Sequence, residues 1–186
     1  MTGHQRRYGM LINLDRCIGC YACQVTCKAE YDIPFGTFRC RVETYRSGRY
    51  PHVRKFFLPR LCNHCDNAPC IESCEEKALF KNQDGVVIIN NTRCTGCGIC
   101  YEKCPYNAIE INQFTGQAEK CDFCYNRVIK RLSPVCVQSC MGKAIMFGDI
   151  NDEKSEIAIA LKKNQIKVLN PELKTNPSVF YLLKGD

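Results

Sequence analysis

The stretch Cys94–Asn112, CTGCGICYEKCPYNAIEIN, places four cysteines within eleven residues and follows them with a proline and a short apolar run. The same spacing, C-x2-C-x2-C-x3-C, occurs at Cys17–Cys27 without the proline. Cys62–Cys74 has the related spacing C-x2-C-x4-C-x3-C, and Cys121–Cys140 has C-x2-C-x11-C-x3-C. Cysteines therefore form four groups of four, and only Cys40 lies outside them.

Cysteine also dominates the composition, with 17 cysteines in 186 residues and no tryptophan. It makes up about a fifth of the 45% of residues that are hydrophobic, so the remaining core is thin and needs cross-links or metal. The number of cysteines is odd, and no apolar segment with the character of a signal-peptide h-region precedes Cys17, so we expect no secretory signal peptide. Because structural disulfides belong mainly to oxidising compartments, these features favour metal ligation.

The spacing of the first and third groups favours iron–sulfur clusters. Three cysteines with two-residue gaps wrap one cubane, and glycines such as Gly19, Gly96 and Gly98 let the backbone approach its sulfurs. In bacterial ferredoxins, whose signature this spacing resembles, the cysteine three residues further on ligates a second cluster. The second and fourth groups also suit zinc, which takes two cysteine pairs, but runs of three cysteines fit zinc ribbons poorly. We therefore predict [4Fe–4S] clusters.

The net charge of +7 does not by itself indicate nucleic-acid binding, because the lysines and arginines are dispersed rather than clustered. Four oxidised clusters with their thiolates would add about eight negative charges and bring the net charge to about −1. The longest apolar stretches, such as 86–89 and 179–183, are far too short to cross a membrane. We predict neither nucleic-acid binding nor a membrane span.

Short apolar runs beside the cysteine groups predict strands. These runs are Tyr8–Asn13, Phe56–Leu61, Ala78–Lys81, Val86–Asn90, Ile109–Asn112 and Ala144–Phe147. The residues after each fourth cysteine, as in CEEKALF and CMGKAI, predict one helical turn. Near the C-terminus, Asp152 is the predicted N-cap of a helix that carries Lys162 and Lys163 late, and the tail 170–183 is predicted to be extended.

The order of the groups predicts an α+β fold of two nested bacterial ferredoxin-like modules, each with two [4Fe–4S] clusters. Only a strand, a turn and another strand separate the second and third groups, so they form an inserted module over 51–112. The first and fourth groups then pair across it, as an outer module of 1–50 and 113–150. Residues 151–186 supply a C-terminal helix and an extended tail, either a strap over the outer module or an arm for a partner.

Each predicted cluster takes the first three cysteines of one group and the last cysteine of the paired group. The predicted ligand sets are Cys17, Cys20, Cys23 and Cys140 for cluster 1; Cys121, Cys124, Cys136 and Cys27 for cluster 2; Cys62, Cys65, Cys70 and Cys104 for cluster 3; and Cys94, Cys97, Cys100 and Cys74 for cluster 4.

The remaining polar and reactive residues indicate no catalytic site. Cys40, in the alternating FRCRVETY, is predicted to be a buried free thiol in a strand. His64, inside CNHC, is a candidate hydrogen-bond donor to a cluster or a partner-facing residue rather than a ligand. Lysines beside cysteines, including Lys103 and Lys120, are expected mostly at the surface. The sequence contains no phosphate loop, Ser/His/Asp arrangement or paired carboxylates, which predicts an electron carrier without a catalytic site of its own.

Taken together, the motifs resemble the four-cluster iron–sulfur subunit of the molybdopterin oxidoreductases of the dimethyl sulfoxide reductase class. The resemblance covers nearly the whole chain and includes YGMLINLDRCIGCYACQVTCKAE, IPFGTFR, CNHCDNAPC, DGVVIINNTRCTGCGICYEKCPYNA and EKCDFCYNRV. The segments FGDINDEKSEI and LKTNPSVFYL are similar to the polysulfide, thiosulfate and tetrathionate reductase branch. Glu75 and Met141 stand where proline is common in the family, which removes no ligand.

The resemblance implies an electron-transfer subunit of a membrane-associated complex used in anaerobic respiration. Its partners would be a catalytic subunit with a molybdenum or tungsten bis-pterin site and an integral membrane subunit that handles quinol. Cluster 1 would lie nearest the catalytic subunit and cluster 4 nearest the membrane, with the same ligand sets as above. Co-export with the catalytic subunit would put the complex on the periplasmic side; the cytoplasmic side remains an alternative.

The acceptor implied by the resemblance is polysulfide, thiosulfate, tetrathionate or a similar compound. Two alternatives remain open: the iron–sulfur subunit of a formate dehydrogenase or hydrogenase complex, and a free-standing polyferredoxin. After the leading hypothesis and these two alternatives, a zinc-stabilised nucleic-acid-binding protein is the fourth hypothesis. It alone predicts a colourless protein without iron.

Overall fold

Short strands and short helices, joined by tight turns, make up the protein. The computed structural model describes residues 5–183. Its strands are β1 (Tyr8–Asn13), β2 (Cys40–Ser47), β3 (Arg54–Leu61), β4 (Leu79–Lys81), β5 (Val87–Ile89), β6 (Ile109–Ile111), β7 (Ala118–Lys120), β8 (Ile145–Asp149), β9 (Ile166–Lys167) and β10 (Val179–Leu182). Its helices are α1 (Ala22–Tyr31), α2 (Pro69–Glu72), α3 (Ile99–Lys103), α4 (Tyr125–Val128), α5 (Val135–Gln138) and α6 (Glu156–Lys163), with a 3-10 helix at Pro171–Leu173.

The largest sheet joins the two ends of the chain. Its strand order is β8-β1-β10-β9, with β1 antiparallel to β8 and parallel to β10. Met10 of β1 lies opposite Phe147 on one side and Val179 on the other. Because β1 has a strand on each side, its residues Met10 and Ile12 are fully buried. The predicted strands at 8–13 and 144–147 are both present.

Three two-stranded hairpins make up the rest of the sheet structure: β2–β3, β4–β5 and β6–β7. Strand β2 begins at Cys40, as the alternation in FRCRVETY predicted, and Cys40 lies opposite Leu61 of β3. The NQDG turn between β4 and β5 ends at Gly85, whose φ of 76° is the left-handed value that glycine tolerates. Strand β7 was not predicted, because AEK carries no apolar run and becomes a strand only by pairing with β6.

The prediction of a helical turn after each fourth cysteine is confirmed only in the first group, where α1 continues from Cys27 to Tyr31, and is wrong in the other three. In the second, third and fourth groups the helical turn lies before that cysteine, in α2, α3 and α5. The residue three positions after the cysteine has a positive φ, which ends helical geometry; these residues are Lys77, Asn107 and Lys143. The chain therefore makes a tight turn from the cysteine into the next strand.

Helices α1 and α6 also differ from the prediction. Helix α1 is ten residues long and carries Cys23 and Cys27 on its buried side. Helix α6 is capped by Ser155, whose hydroxyl accepts the N–H of Ala158 at 3.1 Å, and not by Asp152. Asp152 instead accepts the N–H of Lys154 in the preceding turn. Among residues 5–183, no helix is long and apolar enough to span a bilayer.

Candidate metal centres

Three cysteines of the first group and one of the fourth line an open cavity of about 350 Å³. They are Cys17, Cys20, Cys23 and Cys140, the set predicted for cluster 1. Gly142, in the same wall, leaves no room for a side chain, because a Cβ there would lie 2.3 Å from the carbonyl oxygen of Arg16. The backbone thus closes tightly around a space that is bordered by four thiols.

A second cavity, of about 320 Å³, is lined by three cysteines of the third group and one of the second. They are Cys94, Cys97, Cys100 and Cys74, the set predicted for cluster 4. Burial raises the pKa of Cys100 to about 11, and the nearby thiolates of Cys94 and Cys74 contribute to the rise. Gly96 turns the loop with a φ of 74°, and a Cβ on it would meet the carbonyl oxygen of Gly116 at 2.1 Å.

The cysteines predicted for cluster 2 lie together in the interior. Cys27, Cys121, Cys124 and Cys136 are all buried. Burial and then the neighbouring Cys124 thiolate raise the pKa of Cys27 to about 12. Burial also raises the pKa of Cys121, with contributions from Cys27 and Cys136. Cys27 of helix α1 is therefore an electrostatic neighbour of thiols that lie about a hundred residues further along the chain.

The cysteines predicted for cluster 3, Cys62, Cys65, Cys70 and Cys104, are also all buried. Burial raises the pKa of Cys70 to about 12, and the nearby Cys62 and Cys104 add to this rise. Burial likewise raises the pKa of Cys65 to about 11, again with contributions from Cys62 and Cys104. Cys104, the last cysteine of the third group, thus faces the second group rather than its own.

Backbone N–H groups point at the sulfurs of the last cysteines. In the second, third and fourth groups, the N–H four residues after the cysteine donates to its Sγ, at 3.2–3.5 Å. These pairs are Ala78 with Cys74, Ala108 with Cys104, and Ala144 with Cys140. Donation of this kind stabilises negative charge on sulfur and is a feature of iron–sulfur sites.

The donor set fits clusters better than single ions. Within residues 5–183, no three Cys, His, Asp or Glu side chains are grouped so as to hold one metal ion, whereas a cubane separates its four thiolates by its own width. All 17 cysteines are free thiols. Because burial raises the pKa values of the inner cysteines, they are neutral thiols on their own, and a bound cation would be needed to hold them as thiolates.

The loops of the second and fourth groups meet at a junction of four residues. The His64 imidazole stacks on the Phe123 ring with centroids 3.7 Å apart, and its Nδ1 accepts the N–H of Val87 at 3.0 Å. The ammonium of Lys120 donates to the carbonyl oxygens of Val87 and Cys121. Burial, then the charges of Lys120 and Lys81, hold the pKa of His64 well below its usual value.

Sequence reasoning missed this junction. Lys103 is exposed, as expected, but Lys120 is only 4% exposed. His64 is fully buried and does not face a partner. No local signal distinguishes the two lysines, since each precedes a cluster cysteine; only the formation of β7, which buries both Ala118 and Lys120, separates them.

Cys40 is the one cysteine outside the groups, and it is a buried thiol in β2, as predicted. A hydrogen bond between Cys40 and Cys23 is the main reason that the pKa of Cys40 lies well above its usual value, with burial second. Cys40 also lies close enough to Cys27 and Cys136 to feel their charge. It therefore packs between the cysteine sets predicted for clusters 1 and 2.

Two family models match the chain: a 4Fe-4S dicluster domain over residues 53–150 and a 4Fe-4S binding domain over residues 8–29. The B subunit of the tetrathionate reductase of Salmonella typhimurium is 48% identical, over 96% of this chain and 73% of that protein. The B subunit of the tetrathionate reductase of Archaeoglobus fulgidus is 38% identical, over 95% of this chain and 82% of that protein. The arsenate respiratory reductase iron-sulfur subunit of Shewanella is 30% identical, over 95% of this chain and 96% of that protein.

Proposed function

This chain belongs to the iron–sulfur subunits of the molybdopterin oxidoreductases, and from that premise we propose that it relays electrons through four [4Fe–4S] clusters. Its sixteen grouped cysteines would hold the clusters in the four sets given above. Each bound cluster supplies a site that takes up or releases one electron at a time. The protein's own contribution is to hold the sites in order, keep water from the inner ones and donate hydrogen bonds to sulfur.

The observation that carries this proposal is the difference in exposure among the four cysteine sets. All eight cysteines of the sets for clusters 2 and 3 are buried, whereas the sets for clusters 1 and 4 each contain one exposed cysteine, Cys20 and Cys97. The His64–Phe123 contact joins the two buried sets. This arrangement is expected of a protein that passes electrons between two partners: two buried inner sites, and one solvent-accessible site for each partner.

The nested modules are part of the same proposal, with an outer module of 1–50 and 113–150 and an inserted module of 51–112. Pairing of β1 with β8 and a hydrogen bond between Thr26 of α1 and Ser139 support the outer module. Hairpin β2–β3 carries the chain from one module into the other. Within the described residues 151–183, the C-terminal segment acts as a strap on both, since β10 pairs with β1 and Ser178 donates its N–H to the carbonyl oxygen of Asn63.

The partners we propose dock at the two exposed ends. Around the cavity for cluster 1, Ile18 is 60% exposed and Met141 is 74% exposed, which suits a protein interface. A catalytic subunit with a molybdenum or tungsten pterin site would dock there. Beside the cavity for cluster 4, Tyr101 follows Cys100 and is 48% exposed; an integral membrane subunit that handles quinol would dock there.

We propose that the complex reduces tetrathionate or a related acceptor such as polysulfide or thiosulfate. The support is the 48% identity to an iron–sulfur subunit of a tetrathionate reductase over almost the whole chain. A periplasmic position, reached by export together with the catalytic subunit, belongs to the same proposal. A formate dehydrogenase or hydrogenase complex and a free-standing polyferredoxin are the outcomes that would replace it.

Anaerobic purification of the native complex tests the proposal. We expect a brown protein with about sixteen irons and sixteen sulfides per chain, since each [4Fe–4S] site holds four of each. A molybdenum or tungsten pterin subunit and a membrane subunit should copurify, and a quinol should drive tetrathionate reduction. Nickel in the companion subunit, formate oxidation, or isolation as a single monomeric chain would each overturn the assignment.

A further inference from the structure

His64 is a buried polar side chain whose hydrogen-bonding capacity is only half used. It lies between Cys62 and Cys65 at a φ of 47° and is fully buried. One face of its ring is covered by Phe123, at 3.7 Å between centroids. Two buried cysteine loops, one from each module, therefore enclose the imidazole.

The hydrogen bond at Nδ1 determines where the imidazole proton lies. Nδ1 accepts the backbone N–H of Val87 at 3.0 Å, so it carries no hydrogen. The neutral ring must then carry its proton on Nε2, which makes Nε2 a donor. In the part of the chain that the structure describes, Nε2 is buried and has no hydrogen-bond partner. Native proteins rarely leave such a donor unpaired, and where they do, a bound ion or prosthetic group often accepts the hydrogen bond.

The neighbouring residue, Asn63, is also a buried polar side chain whose hydrogen-bonding capacity is not used. Asn63 is 1% exposed, and neither its amide nitrogen nor its amide oxygen has a partner in the described chain. Its backbone is held in place, because its carbonyl oxygen accepts the N–H of Ser178 at 2.8 Å. Two adjacent buried side chains with unpaired polar atoms, flanked by Cys62 and Cys65, indicate that this loop packs against a polar group other than protein.

We propose that the Nε2–H of His64 donates a hydrogen bond to a sulfur of cluster 3, the cluster held by Cys62, Cys65, Cys70 and Cys104. The inference rests on the proposed function, because it requires that cluster. A donor to sulfur stabilises the reduced cluster, which carries one more negative charge than the oxidised one, and so raises its midpoint potential. His64 is thus a positioning and tuning residue and not a ligand.

Two substitutions test the roles of the two ring nitrogens of His64 separately. In His64→Asn the side-chain oxygen can replace Nδ1 as the acceptor for Val87, while nothing replaces Nε2; asparagine also tolerates a positive φ. In His64→Gln the amide nitrogen reaches further, toward the position of Nε2. We expect His64→Asn to lower the midpoint potential of one of the four clusters in an EPR-monitored titration, and His64→Gln to restore part of the shift.

A measurement on the unaltered full-length protein tests the contact directly. With 15N supplied only in the imidazole ring of histidine, pulsed EPR of the reduced protein should show a ring nitrogen coupled to one cluster. The chain has three histidines, and the exposed His52 provides the matched control. We expect His52→Asn to keep the coupling and His64→Asn to abolish it.

The outcomes distinguish this inference from the proposed function. If the purified chain holds about sixteen irons and no histidine coupling is seen, the hydrogen bond is wrong and the function stands. A coupling or potential shift confined to a cluster that survives loss of Cys62 and Cys70 would also overturn the assignment to cluster 3. A chain that binds no iron would overturn both proposals at once.

Discussion

At the scale of single residues, steric room for the backbone decides which glycines the cluster loops require. Gly96 and Gly98 occupy the same loop, with φ values of 74° and 80°. A Cβ at position 96 would collide with the carbonyl oxygen of Gly116, whereas at position 98 no atom lies within 4 Å. Both substitutions strain the left-handed backbone by roughly 1–2 kcal/mol, but only the first also displaces a neighbouring chain segment.

Gly96→Ala should therefore cause the loss of one cluster, whereas Gly98→Ala should leave all four clusters bound. We expect the first variant to lose about four of its sixteen irons, because the loop that carries Cys94 and Cys97 can no longer close. The second variant should keep its iron and lose only a little stability. Iron analysis together with thermal unfolding checks this, and equal iron loss in both variants would contradict the steric argument.

Lys120 and Lys103 each stand directly before a cluster cysteine but differ in burial, which gives a second pair of variants to compare. Each precedes a cluster cysteine, but Lys120 is buried and donates to two carbonyl oxygens, while Lys103 is exposed. Loss of a buried cation beside the inner clusters should favour their oxidised, less negative state. We expect Lys120→Met to lower the potentials of clusters 2 and 3 and to destabilise the fold by roughly 1–3 kcal/mol through the orphaned carbonyls.

Redox titration and denaturant unfolding of both variants check this expectation. Lys103→Met is the control and should leave potentials and stability nearly unchanged, since exposed charges are screened by water. The expectation would fail if the two variants shifted the inner clusters equally.

At the scale of elements, the position of the helical turns explains why the last cysteine of a group lies apart from the first three. Helices α2, α3 and α5 end just before the fourth cysteine, and the positive φ at Lys77, Asn107 or Lys143 then turns the chain away. The last cysteine is thus separated from the loop that precedes it. The cavity lined by Cys74 together with Cys94, Cys97 and Cys100 is the result.

Cys74→Ser should consequently damage the cluster held mainly by the third group, although Cys74 belongs to the second group. We expect the cluster held by the third group to be lost or converted, and the cluster that uses Cys62, Cys65 and Cys70 to remain. Cys70→Ser is the matched control, since it removes a ligand from that remaining cluster. EPR of the reduced variants distinguishes the two, and loss of only the adjacent cluster in Cys74→Ser would show that the proposed pairing is wrong.

At the scale of the whole molecule, the clusters and the fold depend on each other. Eleven of the 17 cysteines are buried in the core, and ten of these eleven belong to the four groups. We expect iron chelation under anaerobic conditions to lower the thermal unfolding midpoint by roughly 10 °C or more, because metal binding supplies part of the folding free energy. Calorimetry before and after chelation checks this; an unchanged midpoint would contradict it.

Any folded iron-free protein should in addition be sensitive to alkali. Burial raises the pKa of Cys27 and Cys70 from 9.0 to about 12 in the fold. A raised pKa stabilises the fold below the unfolded value and loses this effect as the pH rises toward the folded value. The stability of the iron-free protein should therefore fall between about pH 9 and pH 12, as urea unfolding at several pH values would measure.

Much of the fold was predictable because its signals are local. Apolar runs at 8–13, 56–61 and 144–147 became β1, β3 and β8 with small differences in their ends. The errors came from contacts that the pattern of apolar and polar residues does not show. Strand β7 exists because β6 pairs with it, and Ser155 caps α6 because its hydroxyl, not the Asp152 carboxylate, reaches the N–H of Ala158.

The sequence by itself determined that the cysteines form ligand groups suited to iron, and it determined the kind of protein to which this chain belongs. The reason is that ligand spacing within a loop is a property of neighbouring residues. Only the tertiary structure decided which cysteines are exposed, that Lys120 is buried, and which nitrogen of His64 carries its proton. Those properties depend on residues far apart in the chain, such as Val87 and Phe123 around His64, and packing brings such residues together only when the whole fold has formed.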